Sequence, residues 1–550
     1  MSSLLGRFRS ADGPLRVTPR TMRGYGPLAA LIVLFALMAT LVPSVAQEEA
    51  ELPVALPGTE EVVPGGPEGS TGPGGTEGTE GTEGSERIVR TTVPPGSTGP
   101  CTNREKQVPG DPYSPPCVGF SGDNGGSTSR GVTRDEVIVS ARILDEKGFQ
   151  QTLAALAGAE IVDGPEDVRR TIEAYEQYFN ERFQFYGREM KIEFYNGAGS
   201  STAELLGGGQ AEAQSDAIRV AQEIKAFMEM NGASAPFTDA LFRQKVIAFG
   251  TPYLSREWHM QRRPYNWSLA TDCSIVAEAA AELAVKQLAG KNATFAGPGL
   301  KDRPRKLGGL SPENPWYQEC HDAAEKVIRD AGHDPGVRIR YRLDINSMSN
   351  QAASIISRLK SEGVTTVLCG CDPIFPVFLS TKAAEQGYNP EWVVLGTALT
   401  DHDLVGQLYD QDQWSRAFGV SFLGSIVPQR AGLGYAAYKT VRGDEPAFAA
   451  ELIYATMYLI AVGIQGAGPN LTPQTFEQGM FAYPGGTGPF GTWGFGPRNY
   501  TPTQDTRVIW WDPDKVSTYN KDRGAYIEAY GGKRFRPGQI PSGTPEVFKR

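Results

Sequence analysis

The chain has 550 residues and a formal net charge of -10, with no long basic run. This length exceeds a single ordinary domain, so two core lobes with additional segments are expected. The mildly acidic balance argues against nucleic acid as a partner.

The N-terminus predicts export. Several arginines precede an apolar run over 28–42, which is followed by the small residues Ser44 and Ala46. The run is about 15 residues long, shorter than the ~20 that a spanning helix needs. We interpret residues 1–46 as a signal peptide, with a retained membrane anchor as the alternative. Either interpretation places the rest of the chain outside the cytoplasm, as a secreted, periplasmic or cell-surface protein.

Residues 47–130 are interpreted as a linker. Up to residue 100 they are rich in Gly, Pro, Thr and Glu, with repeated Gly-Thr-Glu triplets from Gly75 onward. Such a segment cannot bury enough apolar surface to offset its chain entropy, so disorder is expected. Cys101 and Cys117 bracket a Pro-rich loop and are predicted to form a local disulfide. Ordered structure is expected to begin near Gly131.

From Gly131 onward, strand and helix patterns alternate. Strands are predicted at 136–144, 190–195 and 245–250, and helices at 165–186 and 211–230. After residue 270 the alternation restarts, with helices at 273–288, 316–331, 349–361 and 375–386, and strands at 292–297, 337–343, 364–373 and 392–396. This alternation predicts an α/β fold of two doubly wound parallel-sheet lobes.

The C-terminal third is expected to complete both lobes. The apolar stretch 448–465 is interrupted by Glu451, Thr456 and Gln465, so a core-packed helix is favoured over a membrane span. A strand is predicted at 506–511, and residues 521–550 are expected to be irregular.

The strand over 364–373 is the most informative stretch. It is short, apolar and β-branched, and ends in Cys369, Cys371 and Asp372 before Pro373. This pattern indicates a buried parallel strand that delivers polar groups to the edge where ligands of α/β proteins bind.

The cysteines of the second unit are Cys273, Cys320, Cys369 and Cys371. Outside the cell two disulfides are expected, and a zinc site is the alternative. Because cysteines separated by one residue seldom bond to each other, Cys369 and Cys371 are each expected to pair elsewhere. Sequence alone allows three pairings.

Motifs of enzymes and metal sites are missing from the sequence. It contains no Gly-x-Ser-x-Gly elbow, no His-Glu-x-x-His and no phosphate-binding loop. Asp401-His402-Asp403 is interpreted as a helix start capped by Asp401 rather than a metal site. We therefore expect no enzymatic activity, cofactor or metal.

Four local patterns, in this order along the chain, resemble the type I periplasmic binding proteins, the leucine/isoleucine/valine-binding group of ABC transporters. They are Gly131–Val139, Gly387–Trp392, Leu452–Ala455 with Gly466–Gly468, and Gly488–Trp493. The resemblance implies a first lobe of 131–270 plus 426–484, a second lobe of 271–425 plus 485–520, and a hinge of three strands.

The resemblance also implies a ligand site between the lobes. The first lobe would contribute Ser234, in the loop 232–235, and Gly250, Thr251 and Tyr253 after the next strand. The second lobe would contribute Trp316 and Asp372.

The predicted function is capture of a small amino-acid or amide-like molecule between the lobes and its delivery to an ABC permease, by a protein that is a monomer. A ligand-sensing ectodomain of the same fold and, less favoured, an extracellular enzyme are the alternatives.

Overall fold

The computed structural model describes residues 101, 104–144, 164–200, 203–204, 208–232, 234–250 and 253–549. The predicted signal or anchor segment and the linker up to residue 100 lie outside these residues. The described chain is an α/β fold with two parallel sheets, one in each of two lobes, as predicted.

The sheet of the first lobe has five parallel strands in the order β2-β1-β3-β4-β5. The strands are β1 (Glu136–Ile143), β2 (Glu189–Asn196), β3 (Met228–Glu229), β4 (Ile247–Phe249) and β5 (Asn266–Trp267). The helices between them are α1 (Pro165–Arg182), α2 (Gln210–Arg219), α3 (Ala235–Arg243) and α4 (Arg256–Gln261).

The second lobe repeats this order in its parallel part, β7-β6-β8-β9-β10. The strands are β6 (Leu307–Pro312), β7 (Val337–Tyr341), β8 (Thr366–Cys369), β9 (Glu391–Val394) and β10 (Ala417–Ser421). The helices are α5 (Cys273–Leu283), α6 (Pro315–Asp330), α7 (Ile345–Ser361), α8 (Phe375–Glu385), α9 (Asp403–Gly406) and α10 (Gln411–Trp414).

The remaining elements return to both lobes. They are α11 (Leu433–Lys439), α12 (Ala450–Ala467), α13 (Pro473–Ala482), the hairpin β11 (Gly486–Gly488) and β12 (Gly491–Trp493), and β13 (Thr506–Val516), β14 (Arg523–Glu528) and β15 (Arg534–Phe535). The last three strands extend the second sheet in antiparallel fashion. The segments 268–272, 422–432 and 501–505 connect elements that pack in different lobes.

The repeated strand order locates a switch point in each sheet. In each sheet the second strand lies on one side of the first strand, and the third and later strands lie on the other side. Ligands of doubly wound proteins bind at the carboxyl ends of the strands beside this point. The switch points lie between β1 and β3 in the first lobe, and between β6 and β8 in the second.

The predicted strand at 292–297 is wrong. That segment forms turns, and the strand is β6, in a stretch for which no strand was predicted. Gly308 and Gly309 weaken the strand signal of β6 but are needed for packing. A Cβ on Gly309 would lie 2.4 Å from Nε2 of His321, and one on Gly308 would lie 2.9 Å from Val364.

The predicted helix at 211–230 is too long. The α-helical part α2 ends at Arg219 and continues as one π-helical turn, Val220–Ile224. Lys225 then adopts a left-handed backbone (φ 58°) and ends the helix, so Met228 lies in β3. A similar π turn, Ala284–Leu288, follows α5.

The segment 104–130, assigned to the linker by the sequence, packs on the first lobe. Tyr113 is buried, and its hydroxyl donates to the carbonyl of Gly491 at 2.7 Å. The hydroxyl of Tyr458 in α12 donates to the Asp111 carboxylate at 2.8 Å. Ordered structure therefore begins well before Gly131.

The C-terminal tail is also more regular than predicted. It contains β14 and β15, and its last residues cover a face of the second lobe. Phe548 packs against Phe295, Phe418 and Trp510, and Glu282 of α5 accepts from the backbone N–H groups of Gly538 and Ile540.

Helix α12 is packed in the core of the first lobe, as predicted. It is the one described helix that is long and apolar enough to span a membrane, and 78% of it is buried within the fold. Tyr454 and Tyr458 on this helix pack against Phe179 of α1, with ring centroids 5.5 and 5.8 Å apart.

Candidate functional site

Tyr253 joins the two lobes at the carboxyl end of β4. Its side chain belongs to the apolar cluster on one face of the second lobe's sheet, although the residue follows a strand of the first lobe. The backbone is left-handed (φ 59°), which is uncommon for a residue other than glycine. Burial, and secondarily the charge of Asp401, raises the pKa of the Tyr253 hydroxyl, which lies against the backbone of Leu399. Tyr253 therefore brings a side chain of the first lobe into contact with the second lobe.

Asp401 is the carboxylate that faces Tyr253 from the second lobe. The residue is 2% exposed, and the nearest hydrogen-bonding groups, the Ser421 hydroxyl and the backbone of Leu423, approach its carboxylate without reaching normal hydrogen-bond geometry. Burial raises its pKa to about 6, a rise that the nearby Ser421 and Arg507 moderate. The prediction that Asp401 caps α9 is wrong. His402 does so, accepting from the N–H of Leu404 at 3.2 Å.

A buried charge cluster underlies the switch point of the first lobe. Arg142, the next-to-last residue of β1, is 3% exposed. Its guanidinium lies 2.7 Å from the carboxylate of Glu204 and 2.6 Å from that of Asp216. Its guanidinium also lies over the ring of Phe237, 4.1 Å from the centroid. Buried ion pairs of this kind fix side-chain positions because each charge depends on its partner.

Glu229 adds a third carboxylate to this cluster. It ends β3, is fully buried, and accepts hydrogen bonds from Ser140 at 2.6 Å and from the backbone N–H of Arg142 at 3.1 Å. Burial raises the pKa of Glu229 to about 7, although these hydrogen bonds oppose the rise. The first-lobe side of the site is thus rich in carboxylates.

The predicted first-lobe residues lie at adjoining strand ends. Ser234 caps α3 by accepting from the N–H of Phe237 at 3.3 Å, and its hydroxyl donates to Glu204 of the charge cluster. Gly250 follows β4 with φ 116°, a backbone conformation that favours glycine. Thr251 lies outside the described residues.

The predicted second-lobe residues differ in their surroundings. Trp316 is half-buried in the first turn of α6. Asp372 is 5% exposed and accepts from the Tyr341 hydroxyl and from the N–H groups of Ile374, at 2.8 Å, and Phe375, at 3.2 Å. Burial raises the pKa of Asp372. These bonds hold the turn from β8 into α8, so the geometry favours a structural part for this carboxylate.

Replacing Asp372 with alanine should lower the free energy of unfolding by about 2–3 kcal/mol. The change leaves the Tyr341 hydroxyl and two buried N–H groups without their acceptor, and each such loss costs ~1–3 kcal/mol. Urea denaturation measures the effect. Asp372→Asn retains acceptor oxygen and is the matched control. An alanine variant as stable as the wild type would show that the carboxylate does not hold this turn.

All six cysteines form disulfides, as predicted, but the expectation that Cys369 and Cys371 each pair elsewhere is wrong. Cys101 and Cys117 are bonded as expected. Cys369 and Cys371, however, are bonded to each other, and Cys273 is bonded to Cys320. Because β8 ends at Cys369 and the chain leaves the sheet at Gly370, the Cα atoms of Cys369 and Cys371 come within 5.0 Å, a normal spacing for a disulfide. The described residues contain no free cysteine and no group of three or more side chains suited to a metal.

Sequence reasoning did not assign Arg142, Tyr317 or the carboxylate of Asp401 to the ligand site. A charged residue inside the apolar strand pattern of β1 was a signal for Arg142. Tyr317, in the first turn of α6, lies near both Asp372 and Tyr253. The charge of Asp372 raises the pKa of the Tyr317 hydroxyl, and Tyr317 in turn raises the pKa of the Tyr253 hydroxyl. Nothing in the sequence brings Tyr317 and Tyr253 together, because they belong to different lobes.

Two doubly wound sheets of the same strand order in one chain are the architecture of bilobal binding proteins. A sequence profile described as periplasmic binding protein matches residues 163–516. The chain belongs to the type I periplasmic binding proteins. A search of curated proteins gave no match.

Solved structures of this family share the fold at low sequence identity. A solute-binding protein of an ABC transporter from R. palustris, in complex with 4-hydroxybenzoate, has a TM-score of 0.52 and 12% identity, covering 73% of this chain and 98% of that one. A fatty acid ABC transporter substrate-binding protein from Thermomonospora curvata has a TM-score of 0.50 and 13% identity, covering 77% and 99%. A solute-binding protein from Rhodopseudomonas palustris HaA2, in complex with p-hydroxybenzoic acid, has a TM-score of 0.51 and 12% identity, covering 74% and 98%.

Proposed function

We propose that this periplasmic binding protein is an extracytoplasmic solute-binding protein that captures a small amino-acid or amide-like molecule between its lobes and delivers it, as a monomer, to an ABC permease. The contact of Tyr253 with the surroundings of Asp401 carries the proposal. It puts groups from both lobes at one place beside the carboxyl ends of β4 and β9. A ligand that contacts both lobes there favours the closed arrangement over the open one.

The carboxylate of Asp401, which is buried and only weakly satisfied by Ser421 and Leu423, supports a ligand that donates hydrogen bonds. A buried carboxylate without donors is costly, and a charge-assisted hydrogen bond offsets that cost. An ammonium group or an amide N–H would supply such a donor. Beneath the opposite switch point, Arg142 balances only one of the two carboxylates Glu204 and Asp216, so the cluster keeps a net negative charge that favours a cationic ligand group.

Replacing Asp401 with asparagine should remove part of the pH dependence of stability. The pKa of about 6 in the folded protein lies above the ordinary value of 3.8, because the folded state favours the protonated carboxyl. The contribution of Asp401 to the free energy of unfolding is therefore fully present below pH 3.8 and is lost as the pH rises through 6. The full loss amounts to about 3 kcal/mol. Between pH ~4 and ~8, the free energy of unfolding of Asp401→Asn should therefore rise relative to that of the wild type.

Urea denaturation across this pH range measures the difference. Asp412→Asn, at an aspartate whose side chain is 79% exposed, is the matched control and should follow the wild-type profile. Parallel profiles for the wild type and Asp401→Asn would contradict a buried, weakly satisfied carboxylate at this position.

A thermal-shift screen of amino acids, amides, ureas and small organic acids tests the function itself. A compound at 100 times its dissociation constant adds ~2.7 kcal/mol to the stability of the protein that binds it. We expect amines and amides to be found among the stabilising compounds, and Asp401→Asn to reduce their effect. Stabilisation by none of these classes would contradict the proposed solute.

A further inference from the structure

A narrow slot runs through the second lobe between its sheet and the helices α5 and α6. It encloses about 40 Å³. A group the size of a water molecule needs ~10–15 Å³ on this scale, so there is room for about three such groups. The slot extends from Tyr317 and Thr397 at the carboxyl edge of the sheet to Ile328 near the far end of α6. Its lining residues belong to the second lobe and do not include Tyr253 or Asp401.

Small side chains create the slot. Ala277 of α5 and Ala324 of α6 line it, and both are buried. The Cys273–Cys320 disulfide, which also lines it, joins the two helices above the sheet. An apolar void of this kind forgoes packing contacts and lowers stability unless a guest fills it.

The slot begins at the switch point of the second lobe. Ser311, at the end of β6, and Gly370, just after β8, both line it. At this edge Tyr317 lies near Tyr253 of the first lobe, and the N–H of Cys273 donates to the carbonyl of Leu254 at 3.0 Å. The near end of the slot therefore adjoins the place where the lobes meet.

The imidazole and the carboxylate that line the slot are both paired. His321 shares a hydrogen bond with Ser311 at 2.9 Å, and burial lowers its pKa to about 4, so the ring is neutral near neutral pH. Glu325 pairs with Arg329 at 2.6 Å and lies 3.7 Å from Arg338. A charged guest would find no free counter-charge among the described lining residues, whereas an uncharged apolar guest would contact carbon and sulfur.

We infer that the slot beneath α6 is a subsite that receives a short, uncharged apolar end of the solute, while its polar end stays between the lobes beside Tyr253 and Asp401. This inference rests on the proposed function and narrows its solute to an amphiphilic molecule with an aliphatic end of up to about three carbon atoms. A fully polar solute would leave the slot empty.

Xenon tests the slot independently of any solute. Crystals of the full-length protein under xenon pressure should show a bound atom between Ala277, Ala324 and Leu368. Ala324→Leu, which fills the slot, should abolish that site. Ala323→Leu, one position away on α6 at a half-buried residue that does not line the slot, should keep it. Absence of xenon from the wild-type slot would overturn the inference.

The linear 2-amino acids from glycine to norvaline test the connection to the solute. Calorimetric titration should show affinity that rises about fourfold with each methylene added. Ala324→Leu and, independently, Ala277→Leu should flatten this rise, and Ala323→Leu should not.

The outcomes separate the two proposals. Equal affinity along the series in the wild type would overturn the subsite and leave the proposed function standing. If xenon binds in the slot but no amino acid of the series binds the protein, the proposed solute class is overturned. The proposed part of the slot in recognising the solute is then overturned as well.

Discussion

Replacing Arg142 with methionine is expected to lower the free energy of unfolding by about 3–5 kcal/mol. The guanidinium makes both buried contacts, with Glu204 and with Asp216, whose side chains are 1% and 4% exposed. Removing one partner of a buried ion pair leaves an uncompensated charge in a medium that solvates it poorly. Methionine keeps much of the side-chain volume, so the loss reports on the charge rather than on a cavity. Urea denaturation near neutral pH measures it.

The matched control for Arg142 is Arg134→Met. Arg134 pairs with Asp123 at 3.1 Å, but the two side chains are 70% and 72% exposed. Exposed pairs contribute ~0–1 kcal/mol, so this change should have little effect. If the two variants lost similar amounts of stability, the cluster beneath the first switch point would not be a buried electrostatic unit.

Removing the Cys273–Cys320 disulfide should cost about 4 kcal/mol. The double variant Cys273→Ala, Cys320→Ala opens a loop with a sequence separation of 47 residues, and constraint of the unfolded chain grows with the size of the closed loop. The measurement is equilibrium unfolding under non-reducing conditions.

The second disulfide provides the comparison. Cys369 and Cys371 are separated by two positions, so opening that ring frees little chain entropy, and Cys369→Ala, Cys371→Ala should cost about half as much or less. A larger loss for the Cys369–Cys371 pair would show that packing at the end of β8, rather than chain constraint, dominates its contribution.

The periodic parts of the fold could be predicted from the sequence. The alternation of apolar strands and amphipathic helices, and its restart after residue 270, predicted two parallel sheets, and the strand ending at Cys369 lies beside the second switch point. β6 was missed because Gly308 and Gly309 carry no apolar side chains. Both positions require glycine because a Cβ there would collide with Val364 or His321, which the sequence does not show to be neighbours.

The chemistry of the site was harder to predict because it depends on which side chains meet. Asp372 has the position expected of a ligand contact, yet its oxygens are occupied by Tyr341 and the turn after β8. Asp401 resembled a helix cap, and only the arrangement of β9, β10 and the other lobe's Tyr253 shows that its carboxylate is buried and only weakly satisfied. The pairing of Cys369 with Cys371 depends on a local bend at Gly370 that no spacing rule indicates.

Hydrogen–deuterium exchange with and without a compound selected by the thermal-shift screen tests the central claim most directly. Binding between the lobes predicts simultaneous protection of two segments, 228–255 in the first lobe and 394–403 in the second. Protection should be weaker in Asp401→Asn at the same compound concentration. Protection confined to one lobe, with exchange in the other unchanged, would contradict capture of the solute between them.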